Sequence, residues 1–131
     1  MRFVTFVSQG APEPGVVRDG GVVSLKNAGF SDMLAVIAGD RSGLERYVAS
    51  APLRPLSTVV LLAPIPRPPK IICVGLNYRD HAIESKMEIP KVPTIFSKYS
   101  TAVIGPGEEI VLPRNSVKPD YEAEFAVIVG R

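Results

Sequence analysis

Apolar and polar side chains alternate from Met1 to Phe6, and this period of two predicts a strand over residues 1–8. A second strand-like stretch over 15–25 is interrupted by Arg18-Asp-Gly-Gly21, whose Asp-Gly pair predicts a hairpin turn. The period then changes. Met33, Leu34 and Ile37 are spaced for the buried face of a short helix ending at Ala38, and either Ser31 or Asp32 is placed to cap it. Gly39-Asp-Arg-Ser-Gly43 breaks that helix, and 44–49 predicts another helical turn or two. From Leu53 to Leu62 only Arg54, Ser57 and Thr58 are polar, so this stretch is expected to reach back toward the body.

Ala63-Pro-Ile-Pro-Arg-Pro-Pro69 follows as an extended connector, because each proline fixes its own φ and restricts the residue before it. The expected organisation is a small α+β domain over 1–65 and a second, β-rich domain over 66–131. Lys70-Ile-Ile-Cys-Val74 reads as a short buried strand. The stretch from Ser85 to Pro93 is loop-like; Met87, Ile89 and Val92 leave a closing lid and an ordinary surface excursion equally open. Thr94-Ile-Phe-Ser-Lys98 predicts a strand, Gly105-Pro-Gly107 a turn, and Ile110-Val-Leu112 and Phe125-Ala-Val-Ile-Val129 further strands. Thirteen prolines in 131 residues fit this picture of short strands and shaped turns.

Composition narrows the class. A hydrophobic content of 46% with a formal net charge of +2 describes a globular protein rather than a disordered one. The charge is spread along the chain without a basic block, which argues against nucleic-acid binding. The apolar run Val59-Val-Leu-Leu-Ala63 is far too short to span a membrane, and the N-terminus reads as a strand rather than a signal peptide. The single cysteine, Cys73, excludes an intramolecular disulfide and sits in an apolar strand, where a buried inert thiol is expected. These features together predict a reducing, cytoplasmic setting.

Two groups of side chains carry candidate chemistry. Glu122 and Glu124 stand at i and i+2 before the 125–129 run, so an extended backbone points both carboxylates to one face. Such a pair suits a hard divalent cation such as Mg2+; on this motif alone the solvent-facing edge of an antiparallel strand, where Glu at alternate positions is common, is the commoner explanation. The second group follows the 70–74 strand in Gly75-Leu-Asn-Tyr-Arg-Asp-His-Ala-Ile-Glu84. If Asp80 caps a helix there, His81 and Glu84 share one face, and the carboxylate fixes and strengthens the imidazole as a base. A surface pair accounts for the same spacing. No further glycines follow at nucleotide-loop spacing, so the Gly-x-Asn-Tyr turn is not a phosphate cradle. Lys98 closes its strand where it could counter a substrate carboxylate, or simply be solvated.

Taken in order, Pro66 to Glu84, Pro93-Thr-Ile-Phe-Ser-Lys98, Gly105-Pro-Gly107 and Asp120-Tyr-Glu-Ala-Glu-Phe125 resemble the fumarylacetoacetate hydrolase family. The resemblance covers about half the chain, and the first sixty-odd residues resemble the small N-terminal domain of many bacterial members. It implies that 66–131 is the beginning of a fumarylacetoacetase-like mixed β-sandwich or roll, giving a mixed α/β, β-rich fold overall. It also implies an enzyme dependent on Mg2+, with Mn2+ or Ca2+ as substitutes, acting on small 2-oxo or enolisable dicarboxylic acids. C–C hydrolysis of acylpyruvates, decarboxylation and isomerisation are the implied reactions. By the same resemblance His81 and Glu84 form the catalytic dyad, Glu122 and Glu124 bind the metal, and Lys98 is the substrate-binding candidate.

The chain departs from the family pattern in length. The third carboxylate ligand, an Asp, is expected after Arg131, so the chain reads as the first part of an enzyme that is inactive as this fragment. A homodimer is expected for the complete protein. The alternative is a non-catalytic truncated module that only associates with a partner chain.

Overall fold

A computed structural model describes residues 1–130 and divides the chain into two compact units, residues 1–65 with 104–130, and Pro66–Val103. Each unit has its own sheet.

The first unit is built on five strands in the order β4-β3-β2-β1-β5: β1 (Arg2–Val7), β2 (Glu13–Arg18), β3 (Gly21–Ser24), β4 (Arg54–Pro55) and β5 (Val60–Leu62). All neighbours are antiparallel. The β2–β3 hairpin closes as its Asp-Gly pair predicts, since Asp19 (φ 47°) and Gly20 (φ 76°) both take the left-handed backbone of a primed two-residue turn. The register Phe3↔Val16↔Val23 puts these three side chains on one face. That face meets α1 (Met33–Ala38) and α2 (Leu44–Ser50), and Val16, Val23, Leu25, Met33, Val36, Leu44, Val48 and Ala51 form the core.

Asp32 caps α1, accepting a hydrogen bond from the Ala35 amide at 2.8 Å. The expected buried face of α1 needs one correction: Leu34 is exposed and Val36 is buried in its place. With Met33 opening the helix, a repeat of 3.6 residues brings 36 and 37 under it and carries 34 about 100° away. The end of α2 is held by Arg18, whose guanidinium donates to the carbonyls of Val48 and Ala51, which helical bonding leaves unmet. Tyr47 adds a hydroxyl bond to the Ser24 carbonyl at 3.0 Å.

On the opposite face Phe6, Glu13, Gly15, Val22, Ser24 and Arg54 line up through the same register. Phe6 and Val22 are fully buried there because residue 15 lacks a side chain: a Cβ would stand 2.7 Å from both Phe6 Cε1 and Val22 Cγ1.

The second unit is an antiparallel hairpin of β6 (Ile71–Gly75) and β7 (Thr94–Lys98), with α3 (Arg79–Glu84) in the connection. Two strand expectations fail. No residue from 103 to 130 is in a helix or strand, so 110–112 and 125–129 are irregular. Their apolar, β-branched composition shows that they suit a pleated, half-buried surface, but a strand needs a neighbour to pair with, and composition does not supply one. Phe125 is 91% exposed as a result.

Candidate active site

The dyad residues sit where strand turns to helix. β6 ends at Gly75, Leu76 and Asn77 make the turn, and α3 starts at Arg79. Tyr78 holds the N-cap position in extended backbone (φ −115°, ψ 129°), and its side chain makes no capping hydrogen bond. Asp80 is therefore not the cap. The helix begins one residue before it, and its carboxylate lies within the first turn, where negative charge complements the helix dipole. His81 and Glu84 both lie on α3, three residues apart and so on one face. His81 is half-buried, Glu84 is exposed, and Ala82 is the one buried residue of the helix.

The helix closes on an unexpected residue. Met87 N–H bonds to the Ala82 carbonyl at 2.9 Å and Lys86 N–H to Ile83 at 3.1 Å, the paired bonds of a Schellman ending. Lys86 carries φ 53° at the left-handed position that glycine normally takes. Nothing in its residue type signals this; a glycine there would have. The following stretch to Pro93 is irregular, and Met87, Ile89 and Val92 are exposed.

Lys98 ends β7 opposite Ile71, on a strand exposed along its length. Cys73 is half-buried in β6, paired with Phe96. Glu122 and Glu124 belong to the irregular stretch and are both exposed. The alternation argued from an extended strand is consequently not imposed on them by any β-ladder. Among the described residues no group of three or more His, Cys, Asp or Glu side chains is placed to hold a metal ion. The donor type of the two Glu suits a hard ion, which takes carboxylate oxygens and completes its shell with water; the number of protein donors is short. No helix among the described residues is long and apolar enough to cross a membrane.

Comparison with known proteins covers both units. The family model described as fumarylacetoacetate (FAA) hydrolase C-terminal matches residues 70–131, a range that contains all five candidate residues. The mitochondrial oxaloacetate tautomerase Fahd2a of Rattus norvegicus is 40% identical over 142 residues, which take in all of this chain and 45% of that protein. The mitochondrial oxaloacetate tautomerase FAHD2A of Homo sapiens is 47% identical over 83 residues, 63% of this chain and 26% of that one. Among solved structures, maleylpyruvate hydrolase from Sphingobium sp. SYK-6, in complex with manganese(II) and pyruvate, aligns with a TM-score of 0.67 at 27% identity. The alignment spans 87% of this chain and 43% of that chain. The chain thus spans less than half the length of these relatives.

The expectation of a cytoplasmic setting is overturned by these relatives, since both tautomerases are named as mitochondrial proteins. A lone thiol rules out an intramolecular disulfide in any compartment, and so it never distinguished one reducing compartment from another. The fold is the mixed α/β, β-rich arrangement expected, and the chain belongs to the fumarylacetoacetate hydrolase family.

Proposed function

We propose that this chain supplies the proton-handling and metal-binding side chains of an enzyme that interconverts or cleaves small 2-oxo acids, with oxaloacetate tautomerisation as its reaction. The observation that carries the reading is the 40% identity to an oxaloacetate tautomerase across all of the chain. His81 acts as the base. Neutral imidazole takes the proton from the enol oxygen, and the same proton is delivered to the carbon next to the 2-oxo group, so nothing is gained or lost. Glu84, on the same helix face, holds the ring in the tautomer that leaves one nitrogen open to accept. Lys98 offers its ammonium to a substrate carboxylate. Glu122 and Glu124 hold a divalent ion, Mg2+ or Mn2+, with water filling the remaining positions. When bound, that ion polarises a 2-oxo group and stabilises the charge of an enolate. The dyad and the carboxylate pair lie in different compact units, and each role is proposed on its own local chemistry.

A second reading, hydrolytic cleavage of an acylpyruvate, is favoured by the likeness to maleylpyruvate hydrolase. There His81 draws a proton from water instead of from the enol oxygen. The two are separated by following enol absorbance and pyruvate release in the full-length protein with Mg2+ or Mn2+ present. The tautomerase reading expects loss of enol absorbance without carbon–carbon cleavage, and His81→Gln slowing it at least about a hundredfold while ion binding persists. Pyruvate release from an acylpyruvate would move the assignment to the hydrolase. Full activity in His81→Gln would remove the dyad.

A further inference from the structure

We propose that Glu13 and Arg54 form a charge latch that holds β4 and the following 3₁₀ turn against the sheet, so that neutralising Glu13 frees this segment while the rest of the sheet stays closed.

The backbone anchorage of β4 is slight. The strand is two residues long and pairs with β3 only through Gly21↔Pro55 and Val22↔Arg54. Beyond it, Leu56 N–H reaches the Gly20 carbonyl at a long 3.3 Å. The side chains do more. Arg54 Nη1 lies 2.6 Å from Glu13 Oε1, and the Ser24 hydroxyl donates to Glu13 Oε2 at 2.5 Å. The guanidinium also sits 5.8 Å from the centre of the Phe6 ring, covering the small apolar cluster on this face. Both carboxylate oxygens are engaged, and the Glu13 side chain is only 7% exposed.

The groups facing Glu13 account for its charge. β1 contributes the Phe6 ring, β3 the Ser24 hydroxyl and β4 the Arg54 guanidinium, and Lys26 adds positive charge from just beyond β3. Burial disfavours the carboxylate, but the Ser24 and Arg54 hydrogen bonds, with the charges of Arg54 and Lys26, outweigh it and hold the acid below its ordinary value. Protonation would leave Arg54 with no anion over an apolar cluster. The other end of the crossing segment has a different anchor: β5 pairs with β1, and the Thr5 hydroxyl donates to the Pro64 carbonyl at 2.6 Å. One end of the crossing is therefore held by charge, and the other by a ladder.

Amide hydrogen exchange on the 131-residue chain tests the latch, with Glu13→Gln and Arg54→Met as variants and Arg54→Lys as the conservative control. Protection of residues 53–58 should fall at least about tenfold in both variants, return in part in Arg54→Lys, and stay unchanged across the β1–β2 ladder. In the wild type the same segment should lose protection on acidification to the level of Glu13→Gln. Protection in 53–58 within about twofold of wild type in both variants would overturn the proposal. So would equal loss across the whole sheet, or failure of either variant to fold, because the pair would then support the domain rather than one segment.

Discussion

Single residues decide the sharpest features of this fold, and two of them are glycine positions in opposite senses. At residue 15 a side chain is excluded by space, so Gly15→Ala should push Phe6 and Val22 apart. A loss of about 1–3 kcal/mol in urea unfolding is expected, as for other overpacked sites. At residue 86 a side chain is present where the backbone favours none. Lys86→Gly should therefore stabilise the end of α3 by about 0.5–1 kcal/mol, read as a higher unfolding midpoint with no change in the slope. Glu13 makes stability depend on pH. Its folded pKa is depressed, so its contribution is complete above the unfolded value and disappears as pH falls through the folded one. Wild type and Glu13→Gln should differ in unfolding midpoint at neutral pH and converge in acid. A constant gap across that range would show that the carboxylate's charge is not what matters.

At the scale of elements, what could be read in the sequence was what neighbouring residues determine. The Asp19-Gly20 turn, the Asp32 cap and the β6 and β7 strands all follow from local chemistry, and the structure contains them. An Asp80 cap would start α3 two residues late, at His81, because Asp80 is a good capping residue, whereas the helix starts after Tyr78, which has no capping side chain. The strands expected at 110–112 and 125–129 fail for a different reason. Their pattern describes a surface to be covered, and pairing is a property of another segment. Long-range polar ties were not legible at all. Arg18 and Val48 are separated by 30 positions, and Glu13 and Arg54 by 41. Arg18→Met should accordingly release the last turn of α2, costing about 1.5–3 kcal/mol for hydrogen bonds made by a charged donor. Exchange should quicken at the Ala51 amide, which bonds to the Tyr47 carbonyl at 2.9 Å. A protein as stable as wild type would mean that water serves those carbonyls equally well.

For the molecule as a whole, the candidate site was legible as a set of residue types and not as a geometry. His81 and Glu84 share a face because a helix imposes it; Glu122 and Glu124 lie in irregular chain, where no ladder fixes their directions. That difference governs metal affinity. A cation gains most where ligands are already gathered, since otherwise binding must also order the chain that carries them. With only two neighbouring carboxylates and no group of three candidate ligands among the described residues, the 131-residue chain should bind Mg2+ weakly. A dissociation constant of about a millimolar or weaker is expected, the range of poorly organised oxygen sites. Calorimetric titration with Mg2+ and Mn2+ checks the value, and Glu122→Ala and Glu124→Ala check its origin. Each substitution should remove the residual heat of binding while His81→Gln leaves it in place. Micromolar binding by the wild type would show that the two carboxylates are held ready despite the irregular backbone. Binding that survives both substitutions would place the ion on other side chains, and the assignment of Glu122 and Glu124 as its ligands would be withdrawn.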